Sequence, residues 1–375
     1  MSTEFDDLPQ VDNYRELFLE DTPLLDVRAP VEFEQGSFPN TINVPLINDK
    51  ERTEIGICYK QQGQDAAIEL GHQLVQGQTK AQRVEQWAEF VKQHPQGVLY
   101  CFRGGMRSKI TQQWIYEQTG IIYPRVKGGY KALRRFLIDA LDETLQQLQP
   151  VLLSGRTGSG KTLFLHQLVQ QVDLEGIYHH RGSVFGKHVT PQPAQIDIEN
   201  RLSIALLKLQ AQQYPHVLLE DEGGNIGSRR LPEILIEKMK QAPVVVLEVD
   251  TPARIDIIFQ EYIIESLQEH QQHYNEEEGW QRWQQQLFNA VDKIRKRLGG
   301  QRHTILRQQL TDAIQQHRAG DIEAHKQWIE TLLSEYYDPM YDFQLEKKSD
   351  RVVFKGNADA VLSFLAENYQ IEKHS

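Results

Sequence analysis

Cysteine is nearly absent: the 375 residues include two, Cys58 and Cys101. Two thiols cannot build a disulfide framework. Their scarcity points to a reducing compartment, the cytoplasm, and to thiols that are either reactive or buried. Long apolar runs are missing as well. The longest, such as PVVVLEV from residue 243, are strand-sized and too short to span a bilayer, so no membrane is expected as a partner. The opening MSTEFDDLPQ is acidic, lacks an apolar stretch and does not read as a secretory signal. Positive charge is in deficit, with 41 Lys and Arg against 52 Asp and Glu and a net charge of −11. That balance argues against general affinity for polyanions but leaves room for a local basic patch. One stretch qualifies: KIRKRLGGQRHTILR, from Lys293 to Arg307, holds six Lys or Arg and no acid.

What is present is globular, with 39% hydrophobic and 25% charged residues and enough chain for two domains. Strand-like PLLDVR (23–28), TINVPL (41–46) and GVLYCF (97–102) alternate with a short helix ending at Gly36, a helical stretch over about 64–94 and a helix starting near Ser108. A glycine turn and a helix follow, and Pro150 starts a second unit. There VLLSG, HVLLED (216–221) and VVVLEV (244–249) read as strands, and KTLFLHQLVQQV reads as the helix behind the first of them. Residues 251–345 are mainly helical, and RVVFKG (351–356) is a late strand before a final helix. The pattern predicts mostly parallel sheets with reactive loops at strand C-termini, divided near residue 145.

Residues 155–162, GRTGSGKT, match G-x-x-x-x-G-K-[ST] in full, between a strand and a helix. The glycines Gly155, Gly158 and Gly160, with Ser159 between the last two, let backbone N–H groups wrap an anion at a helix N-terminus. Lys161 supplies charge for terminal phosphates, and the Thr162 hydroxyl suits Mg²⁺. A partner acid is expected at the end of a neighbouring strand, where VLLEDE offers Glu220 or Asp221. The loop predicts a diphosphate-sized anion and does not specify a nucleotide.

The second loop, CFRGGMRS, starts at Cys101. Gly104 and Gly105 allow amides to converge as oxyanion support, and Arg103 and Arg107 favour thiolate over thiol. Cys-x₅-Arg-Ser is the spacing of cysteine-dependent phosphatases, in which sulfur attacks phosphorus. The upstream LLDVRAPVEFEQGSFPNTINVPL (24–46) instead resembles the rhodanese signature, with Asp26 and Arg28 in structural places. Cys58 reads as a buried or incidental thiol.

The motifs CYKQQG, CFRGGMRS, GGYKALR, GRTGSGKT, HRGSVFG, LEDEGGNIGS, RLGGQR and EYYDPMY occur in that order. Together they resemble bacterial tRNA 2-selenouridine synthases over essentially the whole chain. Gly223 and Gly224 depart from the E-D-E-S usual in that family. The resemblance implies a rhodanese-like α/β domain (12–138) followed by a P-loop NTPase-like parallel-sheet domain with a helical C-terminal extension (146–375). It further implies that wobble 2-thiouridine in tRNA is geranylated from geranyl diphosphate and then exchanges sulfur for selenium from selenophosphate. Cys101 would take up selenium as Cys-S-Se⁻ while Arg107 holds the departing phosphate. Arg295, Lys296 and Arg297 would hold tRNA, helped by Arg181, Arg229 and Arg230. No tightly bound cofactor is expected. Mg²⁺ use, contact with the selenophosphate-producing enzyme and oligomeric state stay open, as does the alternative of a sulfurtransferase fused to an NTPase.

Overall fold

The computed structural model describes residues 8–374; the first seven residues, most of the acidic start, and the last lie outside it. The chain forms two compact units, one from the residues up to Thr144 together with Ala194–Lys208, the other from Leu145–Pro193 and the chain from Leu209 onward. Among the described residues, no helix is long and apolar enough to cross a membrane.

The first unit is built on a parallel sheet of β1 (Gln10–Val11), β2 (Leu24–Asp26), β3 (Thr41–Asn43), β4 (Val98–Tyr100) and β5 (Arg125–Val126), in the order β1-β5-β4-β2-β3. β2 and β4 are wholly buried, as short apolar runs in a parallel sheet covered on both faces should be. They lie side by side with Asp26 opposite Tyr100. Their outgoing loops therefore leave the same end of the sheet together, one carrying Arg28 and Glu32, the other Cys101 to Arg107. Residues Ala194–Lys208, inside the stretch read as the second domain, belong to this unit: Ser203 Oγ donates to the Leu137 carbonyl at 2.7 Å.

A helix over Asp49–Gln62 precedes those at Gln64–Leu74 and Gly77–Gln93, so helical structure begins earlier than the expected 64. The segment escapes sequence reading because Ile57 and Tyr59 face solvent and its apolar residues form no clean stripe.

The second unit is built on another parallel sheet of β6 (Pro150–Ser154), β7 (Gln171–Val172), β8 (Val217–Glu220), β11 (Val244–Leu247) and β12 (Val352–Gly356). Their order is β12-β11-β6-β8-β7. A two-stranded antiparallel ribbon, β9 (Asn225–Ile226) with β10 (Arg229–Arg230), turns at Gly227. The long helices Glu276–Leu298 and Gly300–Arg318 bury an aromatic-rich cluster around Trp283 and Trp328.

One expected helix is much shorter than its sequence suggests. KTLFLHQLVQQV is helical only over Lys161–Leu165. Its remainder is claimed by strand pairing: Val169 N–H bonds the Glu372 carbonyl at 2.9 Å, and Gln171 and Val172 pair with Leu218 and Leu219. Sheet hydrogen bonds outweigh local helix propensity here.

Candidate functional site

In the second unit β6 feeds the phosphate loop, and its neighbour β8 ends at Glu220, in register with Leu153. That register places the Glu220 carboxylate beside the loop. Thr162 Oγ1 donates to Glu220 Oε1 at 2.9 Å and lies 3.3 Å from Glu175 Oε2. Lys161 Nζ lies 3.3 Å from the Gly155 carbonyl at the other end of the loop. Gly158 has φ +79°, and a side chain there would meet the Arg254 carbonyl at 2.8 Å, so the fold demands glycine. Ser159 is buried, and its hydroxyl has no partner among the described residues.

Of the two acids expected near the loop, Glu220 is the one that touches Thr162. Asp221 is drawn elsewhere: it accepts from Ser154 Oγ at 2.8 Å and pairs with Lys348 at 2.6 Å. Glu175 had no motif to mark it, yet it sits closest to the Thr162–Glu220 pair, and its own N–H donates to Glu220 at 3.0 Å. Burial and the Glu222 charge push Glu175 up to about 8. Burial and Glu175 raise Glu220 to about 7, and burial is also the main cause for Glu222, at about 7. Burial and mutual repulsion thus bias all three carboxyls toward their protonated forms.

The loop opens into a cavity of about 600 Å³ lined by Lys161, Thr162, Glu175, Glu222 and Lys348, with Tyr262, Tyr336, Tyr337 and Met340 as its less polar wall. Two π-helical turns, Gln260–Glu265 and Leu333–Tyr337, supply Tyr262, Tyr336 and Tyr337, a use of π turns that recurs at functional sites. EYYDPMY is thus a wall of this cavity. It also braces the loop: Asp338 binds the buried Arg254, whose Nε donates to the Thr157 carbonyl at 3.0 Å, and Asp342, just after the motif, pairs with Arg156 at 2.8 Å.

In the first unit, Cys101 is buried at the end of β4, with Sγ 3.3 Å from Ser108 Oγ. Gly104 has φ +65°, and a side chain on it would strike the backbone of Val126 and Gly128 at 2.8 Å. Gly129 is tighter still, with its missing Cβ 2.2 Å from the Cys101 carbonyl. The GGY motif is therefore the floor on which the thiol loop rests, tied to it by Tyr130 N–H to the Cys101 carbonyl at 2.9 Å. Gly105 has open space around it.

Arg107 does not stand free. It makes a two-pronged pair with Glu32, at 2.5 and 3.1 Å, and Arg52 lies 3.4 Å from the same carboxylate. Although burial works against it, the Arg107 hydrogen bond and charge hold Glu32 below the usual carboxylate range. Glu32 is the glutamate of the E-F-x-x-G turn and was legible there only as part of a signature. Arg52 and Arg107 meet this one acid in a mainly apolar cleft of about 910 Å³ that Arg103 also lines and whose wall includes Met106, Ile110 and Trp114.

Asp26 and Arg28 form a buried ion pair at 2.6 Å, and Arg28 also donates to the Gly36 carbonyl at 2.7 Å. Cys58 lines a separate cleft with Glu54 and Leu70. Arg295, Lys296 and Arg297 occupy the exposed last turn of Glu276–Leu298; of the three, Arg297 alone lines the phosphate-loop cavity. Arg181 is tied to Glu269 at 2.7 Å and Arg230 to Glu233 at 2.6 Å.

The family model described as the tRNA 2-selenouridine synthase AAA domain matches residues 148–372. A tRNA 2-selenouridine synthase of Marinobacter nauticus is 53% identical over 94% of this chain and 96% of its own. The chain belongs to the tRNA 2-selenouridine synthase family. A second member, from Pseudomonas fluorescens, is 51% identical over 95% of this chain and 97% of its own. A solved structure titled as the N-terminal domain of a putative ATP/GTP binding protein from Clostridium difficile 630 matches 34% of this chain at 30% identity, with a TM-score of 0.30, too low to bear on the fold. Among the described residues no group of three or more His, Cys, Asp or Glu is arranged to hold a metal ion by itself.

Proposed function

We propose that the chain converts wobble 2-thiouridine of tRNA into 2-selenouridine in two steps, each served by one of the two cradles. Sulfide is a poor leaving group from the thiocarbonyl carbon, so direct exchange is slow. Alkylating the sulfur with geranyl diphosphate gives an isothiourea-like carbon that can expel a thiol. The observation that carries the first step is Lys161 and Thr162 at a cavity with an aromatic wall, with Thr162 set against buried Glu220 and half-buried Glu175. The loop amides and Lys161 grip the diphosphate and stabilise it as it leaves. Mg²⁺, if used, would be held by Thr162 and Glu220 together with substrate oxygens, as suits an ion that prefers few protein ligands.

The second step belongs to the Cys101 loop, and electron balance changes the expected route. Selenium in selenophosphate is already at the selenide level, so forming Cys-S-Se⁻ with loss of phosphate would need an oxidant. Attack of the Cys101 thiolate on phosphorus needs none. An S–P bond forms, the P–Se bond breaks, hydroselenide leaves, and water later frees phosphate from sulfur. Hydroselenide adds to C2 of the geranylated base and expels geranylthiol. The Cys-x₅-Arg-Ser spacing and the Ser108 hydroxyl beside Sγ support this reading.

The test incubates the full chain with 2-thiouridine tRNA and geranyl diphosphate, with and without selenophosphate, followed by mass analysis of the nucleosides. Cys101→Ala should still geranylate and Lys161→Ala should not; selenouridine should require both residues. Unmodified 2-thiouridine in every reaction, with tight ATP binding, would replace this reading with a sulfurtransferase joined to an NTPase.

A further inference from the structure

Beside the phosphate-loop cavity, in the same unit, lies a polar groove of about 1030 Å³. Lys187, Arg229, Lys293 and Arg297 line it, and none of these four is ion-paired among the described residues. In a chain of net charge −11, four unpaired cations gathered in one concavity form a local positive patch suited to an anion. Burial and the neighbouring Lys187 together lower the Lys293 ammonium from its ordinary value.

Two polar atoms of residues that line the groove are buried without a protein partner among the described residues. His180 is more than nine-tenths buried and lines the groove, yet its Nδ1 has no hydrogen-bond partner. Arg229 Nε is likewise buried and unpartnered. Unsatisfied buried polar groups are uncommon in folded proteins. Glu269 is already engaged by Arg181 and His188, and those contacts together with their charges hold it down at about 2 despite burial.

The groove also has a direction. Gly182, Ser183, Val184, Asn225 and Arg297 line both it and the phosphate-loop cavity, so the two are continuous. The cations come from distant points of the chain: HRGSVFGK, the β9–β10 ribbon and the end of Glu276–Leu298. Arg295 and Lys296, the first two residues of the basic triplet, line neither space.

We propose that this groove seats the RNA backbone next to the base being modified. Lys187, Arg229, Lys293 and Arg297 take consecutive phosphodiesters of a single-stranded stretch, and the base enters the phosphate-loop cavity past Arg297. The proposal rests on the tRNA reading above and adds where the tRNA lies. Free diphosphate would be served by the loop itself, and a single small anion would not need cations from three separate segments.

The test uses the full chain and a fluorescein-labelled anticodon stem-loop RNA carrying 2-thiouridine, titrated by anisotropy at several NaCl concentrations. Lys187→Ala/Lys293→Ala should weaken binding by about tenfold or more and flatten the log K against log salt slope by about 1.4, the value for two lost single-strand phosphate contacts. Lys240→Ala/Lys355→Ala removes the same charge elsewhere on the unit and should leave affinity within about twofold. Geranyl diphosphate binding, followed by calorimetry, should match the unsubstituted chain in both variants and so reports intact folding. Unchanged affinity and slope in the Lys187/Lys293 variant would overturn the groove assignment, as would an equal loss in the charge-matched control. No RNA binding by the unsubstituted chain would overturn the tRNA reading along with it.

Discussion

Arg254 Nη2 lies 2.6 Å from Asp338 Oδ1, joining the helix Thr251–Phe259 to the start of Asp338–Glu346. The guanidinium is almost fully buried and its Nε holds the Thr157 carbonyl, so a single side chain couples the phosphate loop to the wall facing it. Removing one member of such a pair strands a charge out of water. Arg254→Leu and Asp338→Asn should each destabilise the second unit by about 2–4 kcal/mol. Denaturant unfolding of the two single variants and the double variant measures the coupling. Additive effects would show that the pair is not a unit.

The glycines of the thiol loop differ in what they do. Gly104 and Gly129 have positive φ and no space for a side chain; Gly105 has φ −95° and open surroundings. Alanine at 104 or 129 should cost roughly 1–3 kcal/mol from backbone strain alone, with the clash added. Gly105→Ala should leave stability within about 0.5 kcal/mol. Thermal unfolding separates these cases, and equal losses at all three positions would refute the distinction.

The phosphate loop was readable because its backbone geometry dictates its residue types over a span of eight positions. Glu220 was half readable. The strand end was clear, but choosing between Glu220 and Asp221 needed the pairing of Leu153 with Glu220, which no local pattern carries. Arg107 was readable from its motif, but Glu175, Arg254 and Glu32 were not readable as site residues. Each gains its role from a partner distant in sequence, 75 residues away for Glu32 and 84 for Arg254. The tail of KTLFLHQLVQQV failed for the same reason, since its hydrogen bonds go to the far end of the chain.

Glu32 fixes the Arg107 fork, and a planar guanidinium held from one side presents a defined edge to an anion. Glu32→Gln keeps the shape and removes the charge. In the proposed scheme it should slow selenouridine formation by tenfold or more while geranylation proceeds unchanged. Single-turnover assays of the two products test this, and a matching loss of geranylation would show a folding defect. Arg107→Lys should be as damaging, because an ammonium cannot reproduce the two-pronged pair.

Glu175, Glu220 and Glu222 share one linkage. Their folded-state values are about 8, 7 and 7 against an ordinary 4.5. Between those limits the folded chain holds protons that the unfolded chain has released. The stability contributed by the cluster is therefore complete below about pH 4.5 and is lost as pH rises through 7 to 8. Melting of the ligand-free protein should show Tm falling from pH 6 to 8.5. Glu175→Gln, which keeps the hydrogen-bonding shape without the charge, should flatten that fall and raise Tm at pH 8. An unchanged slope would mean that the three carboxyls titrate as exposed ones do. If the slope does flatten, a divalent cation or cationic ligand entering beside Thr162 must expel protons from the same cluster. Calorimetric binding enthalpies in buffers of different ionisation heat would then diverge in the unsubstituted chain and converge in Glu175→Gln.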